Sequence, residues 1–206
     1  MTETVITSAC YFPPAIFFNH FYQAEEILPD AHEYFVKQTL RNRAYVCGAN
    51  GKFSLIVPVK HTGGKLTAMK DIQISYDSQW QKIHWRSITS AYRNSPFFEY
   101  YEDELAPLFS VKEKFLFDLN EKILHTLLKL TGCKGMVAGT EKFVHEYSGG
   151  ETDIRKLSDP KIFFESLTDT TPRPYPQVFP STDGFISGLS VLDLLFNMGR
   201  DSMTAL

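Results

Sequence analysis

Cysteine is scarce. Cys10, Cys47 and Cys133 are odd in number, lie far apart and form no C-x-x-C pair. That argues against a disulfide framework and a structural zinc centre, so three reduced thiols are expected. Positive charge is not in excess either. With 21 basic against 24 acidic residues the net charge is −3, and no basic run occurs. Binding to nucleic acid or to an anionic membrane surface is therefore not expected. No apolar stretch is long enough to span a bilayer, and Met1-Thr2-Glu3-Thr4 lacks the basic and apolar regions of a secretory signal. With reduced thiols, this gives an expected cytoplasmic location. G-x-S-x-G, the P-loop and G-x-G-x-x-G are all absent. The histidines lack paired ligand spacing, so no metal is expected, and no cofactor is indicated.

What the chain has is aromatic mass. Phe, Tyr and Trp make up 14% of its 206 residues, with 17 Phe and 10 Tyr. That suits one domain over residues 1–206 with an aromatic-rich core and an aromatic-walled pocket. The β-branched Thr4–Ser8 reads as a buried strand that Pro13-Pro14 ends. Ala15 to about Ile27 reads as a helix ended by Leu28-Pro29-Asp30, and Glu33–Gln38 as a second strand, completing a right-handed βαβ unit. Arg43–Gly48 and Lys52–Val59 flank Asn50-Gly51, which tolerates the positive φ of a type I′ hairpin turn. Ile72, Ile74 and Tyr76 alternate with polar residues like a half-buried strand. Ser78 with Gln81 suggests a capping box for a helix from Gln79 to about Arg93, with Trp80, Ile83, Ile88, Ala91 and Tyr92 as its apolar face. Phe97–Leu108 reads as a shorter helix. Ser110 with Glu113 repeats the box before a helix carrying Phe115, Leu119, Ile123 and Leu127, which Gly132 stops. Lys134–Ala138 reads as a strand, Tyr147–Asp159 as irregular, and Pro172–Pro180 as extended surface chain. A final helix spans Ser190–Met198, with Ser190 and Asp193 as its capping box, Leu189 and Leu194 as its staple, and Gly199 as its stop.

The fold class is thus α/β: a Rossmann-like three-layer core with a mainly parallel sheet, a β-hairpin and C-terminal helical elements. Ligands of such sheets bind outside the carboxyl ends of the strands. If Thr4–Ser8, Glu33–Gln38 and Lys134–Ala138 are parallel, Tyr11, Gln38, Arg43, Thr140 and Glu141 share one rim, with Asn42 beside them and His84 or Tyr92 close by. A cation, a carboxylate, amides and a phenol suit a polar, multiply hydroxylated or anionic small molecule. Blander readings stand alongside: Arg43 as an exposed strand residue, Gln38 and Asn42 as turn ligands, Glu141 as a loop residue, Tyr11 as a core edge. His84 is either a core histidine satisfied by one hydrogen bond or an acid–base group. The cap alone accounts for Asp193.

Several blocks together resemble the WbqC-like family. Tyr11-Phe12-Pro13 with Phe17-Phe18 resembles its opening motif. Gln38, Arg41-Asn42-Arg43 and Val57-Pro58-Val59 resemble its next block. Trp80-Gln81-Lys82-Ile83-His84, Ala91-Tyr92 and Pro96-Phe97-Phe98 resemble the third. Tyr175-Pro176-Gln177-Val178-Phe179 and Leu189 to Asn197 resemble the last two. The opening departs from the pattern where Ser8-Ala9, Pro14 and Ile16 stand, and the Gly- and Ser-rich segment of longer members is missing. The resemblance implies a bacterial protein of surface-polysaccharide (O-antigen) biosynthesis, a transferase acting on an activated sugar or a group attached to it. The alternative is a non-catalytic sugar- or nucleotide-binding accessory protein. It implies a sugar- or nucleotide-type ligand, expected at Tyr11, Gln38, Asn42, Arg43, Tyr92 and Gln177, with His84 as the candidate acid–base residue; the rim argument adds Glu141 as a second candidate catalytic residue. It leaves the oligomeric state open.

Overall fold

A computed structural model describes residues 3–61, 63–64, 66–168, 173–179 and 184–206. The elements run β1 (Thr4–Ser8), α1 (Phe18–Gln23), β2 (Glu26–Asp30), β3 (Arg43–Gly48), β4 (Gly51–Ile56), α2 (Trp80–Tyr92), α3 (Phe98–Leu105), α4 (Leu116–Thr131), β5 (Met136–Val137), β6 (Thr152–Asp153), α5 (Pro160–Ser166) and α6 (Val191–Met198). The fold is α/β: a four-stranded sheet in the order β5-β2-β1-β6 with every pairing parallel, plus the antiparallel β3–β4 hairpin. The chain winds outward from β1 to β2 to β5, then returns to add β6 on the other side of β1. That reversal is a topological switch point, where open parallel sheets form a crevice at their carboxyl ends.

Local chemistry explains the elements. β1 is β-branched and buried from Val5 to Ser8, as a central parallel strand covered on both faces should be. α4 buries Leu116, Leu119, Ile123 and Leu127, and Gly132 at φ 77° ends it in the left-handed region that lacks a Cβ penalty. α6 is buried from Val191 through Asn197, and its Ser190 hydroxyl accepts from Leu192 N–H. Phe17, Phe18 and Phe21 are fully buried around the β1–β2 crossover, with Phe17 edge-on to Phe163 of α5. Truncating Phe21 to Ala would cost about 3–5 kcal/mol.

The structure corrects several expectations. The helix from Ala15 is shorter: a 3-10 turn at Ala15–Phe17 leads into α1, and Glu26–Asp30 is strand. Pro29 hid that strand, yet it fits there. Its carbonyl accepts from Thr140 N–H on the β5 side, where the partner strand is only two residues long and a missing donor costs little. Glu33–Gln38 is not a strand. The Asp30 carboxylate accepts from the N–H groups of His32 and Glu33, which turns the chain out of the sheet. Strands therefore form at Thr4–Ser8 and within Lys134–Ala138, but the strand between them is β2. The expected hairpin forms, but one residue earlier than Asn50-Gly51: Gly48 pairs with Gly51, so its loop residues are Ala49 and Asn50. It is not type I′, however, because the positive φ falls on Gly51 alone, at 94°, and not on Asn50.

None of the three proposed capping boxes forms. Gln81 donates to Val111 O, Ser110 to Pro107 O, and the Asp193 carboxylate faces Tyr175 and Gln177. On α2 Ile83 is 59% exposed, while Gln81 and His84 are buried in its place. Ile72 and Ile74 are buried, but their segment makes isolated bridges at Gln73 and Ile74, not a ladder. The irregular stretch Tyr147–Asp159 contains β6, and α5 follows it. In the proline-rich stretch residues 173–179 are neither helix nor strand, but Tyr175 is buried rather than on the surface. Pro172 and Pro180 lie outside the described residues, as do Met1 and Thr2 of the opening. Among the described residues no helix is long and apolar enough to cross a membrane.

Candidate functional site

The carboxyl ends of β1, β2 and β6 bring together Ser8, Asp30 and Asp153. Two arginines organise them. Arg155 donates from Nη1 to Asp30 Oδ2 at 2.7 Å, from Nη2 to Asp153 Oδ2 at 2.6 Å, and from Nε to Asp153 Oδ1 at 3.0 Å. The same guanidinium holds the carbonyls of Val144 (2.8 Å) and His145 (3.2 Å), so it pins the loop before β6 over the rim. Asp30 is wholly buried, and its Oδ1 also accepts from the Thr140 hydroxyl at 3.0 Å. Arg41 forms a fork with Glu33, Nε to Oε1 at 2.8 Å and Nη2 to Oε2 at 2.5 Å, and the Ser8 hydroxyl donates to Oε2 at 3.1 Å. Forked pairs of this kind fix direction as well as charge.

A cleft of about 270 Å³ opens over this network, lined by Glu33, Arg41, Phe143, His145, Asp153, Arg155 and Lys156. Phe143 is 46% exposed at its mouth, 6.4 Å between ring centres from Tyr34. Arg155 lies under both Phe143 (5.7 Å) and Tyr147 (5.0 Å). Burial raises the Glu33 carboxyl pKa, and the bonds from Arg41 and Ser8 oppose it. Burial also pulls the Asp153 carboxyl upward, but Arg155 outweighs it and holds the group below its ordinary value. Burial pushes the Cys10 thiol beside Arg41 and Glu33 up to about 12, so it stays protonated. Among the described residues no group of three or more His, Cys, Asp or Glu could hold a metal ion.

The residues singled out from sequence fall in several places. Thr140 reaches the rim. Tyr11 and His84 meet, hydroxyl to Nδ1 at 2.9 Å, but both are buried and Trp80 packs edge-on at 5.1 Å from the imidazole. Tyr92 and Gln177 converge on the Asp193 carboxylate, with Gln177 Nε2 at 2.9 Å, and so meet each other rather than the rim. Asn42 is buried and donates to Val57 O at 3.0 Å. Arg43 reaches the Tyr45 hydroxyl at 3.3 Å. Gln38 is exposed at φ 62°, and Glu141 is exposed just past Thr140. Asp30, Glu33, Arg41, Asp153 and Arg155 went unrecognised as a set. Their signals were faint: an Asp directly after a strand, Asp-x-Arg before a helix, and an Arg next to two residues already chosen.

The fold and cleft place the chain among α/β proteins with a polar crevice at the carboxyl end of a parallel sheet. More particularly, it belongs to the WbqC-like protein family, whose family model matches residues 9–153. It is also similar to the Uncharacterized protein Rv1507c of Mycobacterium tuberculosis, at 25% identity over 227 residues, covering 98% of this chain and 96% of that protein. No solved structure matches.

Proposed function

We propose that the switch-point cleft binds an activated sugar, and that the protein is a cytosolic transferase of bacterial surface-polysaccharide biosynthesis acting on that sugar or on a group attached to it. The observation that carries this reading is the pairing of a half-exposed aromatic, Phe143, with a buried, charge-matched rim. Carboxylates held in place by arginines accept hydrogen bonds from sugar hydroxyls. An exposed ring offers a face for a sugar or a base. Arg41 spends Nε and Nη2 on Glu33, leaving Nη1 for an anionic group of the ligand.

A second reading rests on one feature of the same rim. Asp30, Asp153 and Glu33 are each bound by an arginine, so none is set free as a general base. That favours a sugar- or nucleotide-binding accessory protein. A thermal-shift panel of nucleotide sugars, nucleotides and free sugars tests both, because a ligand that binds only the native state raises the melting temperature. A nucleotide sugar should raise it, and Phe143→Ala should weaken that binding roughly three- to tenfold. Turnover of the bound sugar with an added acceptor selects the transferase; binding without turnover selects the accessory role. A panel in which no sugar-bearing compound binds overturns both.

A further inference from the structure

Arg41, one of the two rim arginines, is carried by a stretch without regular structure. Residues 36–42 form neither helix nor strand, and the same is true of residues 9–13 just beyond β1. Both stretches are bent out of ordinary backbone. Among the described residues the non-glycine residues with positive φ are Phe12, at 42°, and Gln38, at 62°. Phe12 stands three residues after Ala9, and Gln38 three before Arg41. Conformations of this kind persist only where the surroundings over-determine them.

One side chain ties the two stretches together. Asn120 of α4 donates through Nδ2 to Ala9 O and to Arg41 O, both at 2.7 Å. It is buried on the same side of the helix as Leu116 and Ile123, four residues after the first and three before the second. A leucine would suit that face better, because a buried amide costs free energy wherever a polar atom goes unbonded. Asn120 Oδ1 is buried and makes no hydrogen bond, so the amide serves through its two donors. The neighbouring Leu40 is held by backbone alone: its carbonyl accepts from Tyr11 N–H at 2.9 Å, and its N–H donates to Ser158 O at 2.8 Å. The Arg41 carbonyl is held by Asn120.

We propose that Asn120 is a positioning residue of the rim: by clamping the Arg41 backbone to the exit of β1, it sets the fork between Arg41 and Glu33 and so keeps Arg41 Nη1 at the cleft. This rests on the reading that Nη1 takes an anionic group of an activated sugar. The clamp acts on both halves of the fork. Ala9 directly follows Ser8, whose hydroxyl donates to Glu33 Oε2, so fixing Arg41 to Ala9 fixes it relative to the group that orients its carboxylate partner. Arg155 is held differently, by Asp30, Asp153 and the carbonyls of Val144 and His145, with no bond to Asn120. It serves as an internal control.

The test uses the full chain and compares the two arginines. Hydrogen exchange at the Nε–H groups of Arg41 and Arg155 is followed by NMR in the parent, Asn120→Ala and Asn120→Ser. Asn120→Ala should lower the protection of Arg41 Nε–H roughly tenfold and leave that of Arg155 nearly unchanged. Asn120→Ser keeps one donor and should fall between, and it decides the matter if Asn120→Ala does not fold. The ligand arm titrates uridine diphosphate glucose and methyl glucoside, which carries no anion. Asn120→Ala should bind the first roughly five- to tenfold more weakly, as a misaligned charge-assisted bond requires, and the second as the parent does. If uridine diphosphate glucose does not bind the parent, the sugar reading falls, and the exchange comparison still decides whether Asn120 positions Arg41. Three results overturn the positioning role. Equal loss of protection at both arginines would mean that Asn120 only stabilises the fold. Unchanged protection at both would mean that Arg41 is placed without it. Equal weakening of both sugars would mean that Asn120 does not act through the anion contact of Arg41.

Discussion

The Tyr11 hydroxyl lies 2.9 Å from His84 Nδ1, and both side chains are buried. Burial drives the phenol's pKa well up, so it stays a neutral donor, and Nδ1 accepts from it. The other ring nitrogen bonds the Ile56 backbone. The imidazole is thus satisfied only when neutral, and burial lowers its pKa from 6.5 to about 4. The folded value lies below the unfolded one, so unfolded chain binds the extra proton between them. The resulting stability is full above the unfolded pKa and is lost as pH falls toward the folded one, up to about 3 kcal/mol. Urea unfolding of the parent and of His84→Gln should show a stability difference that shrinks as pH falls from 7 to about 4.5. A difference that stays flat with pH would contradict this tautomer.

Arg155 clamps Asp30, whose side chain is 0% exposed, against Asp153 and two loop carbonyls. Arg155→Met should cost about 3–5 kcal/mol, because it strands a buried carboxylate. Arg155→Lys should recover little, since a single ammonium cannot reproduce the fork. Adding Asp30→Asn to Arg155→Met should return part of the loss, as the stranded charge disappears. Denaturant melts of the parent, Arg155→Met, Asp30→Asn and the double variant close the cycle: additive losses would mean that the two residues do not act as a pair.

The fold was legible where local chemistry and tertiary structure agree. Thr4–Ser8, the Asn-Gly hairpin and the Leu-rich α4 ending at Gly132 all announce themselves. It was illegible where a long-range partner decides. Pro29 reads as a breaker unless one knows that its missing N–H faces a strand of two residues. Thr152–Asp153 is too short to show any period. The capping boxes failed because Gln81 and Asp193 found distant partners in Val111 and Tyr175. The rim was missed for the same reason: Asp30 and Arg155 are 125 residues apart.

Cys10, Cys47 and Cys133 are free and buried, and burial raises each thiol's pKa, that of Cys10 to about 12. Thiolate is the reactive form, so all three should react slowly with an aromatic disulfide reagent in the native protein at pH 8. In denaturant all three should react at once. A fast native phase worth one thiol would show that one of these sites opens.

Asp193 is a buried carboxylate held by neutral donors: the Tyr175 hydroxyl at 2.7 Å, Gln177 Nε2 at 2.9 Å and the Tyr92 hydroxyl. Burial raises its pKa above 3.8, and the three donors pull it back. A folded value above the unfolded one means that the group favours the fold most when protonated. That advantage fades as pH rises through the folded value. Tyr175→Phe removes a charge-assisted bond and leaves the ionised form worse off. It should cost about 1.5–3 kcal/mol at a pH above the folded value, where the carboxylate is charged. The cost should be smaller at a pH below that value, where the variant's carboxyl takes up a proton and needs fewer donors. Unfolding free energies of parent and variant, measured from pH 4 to pH 8, follow the difference directly. If the deficit is the same at both ends, Tyr175 holds α6 through its ring alone and its hydroxyl does not stabilise the charge on Asp193.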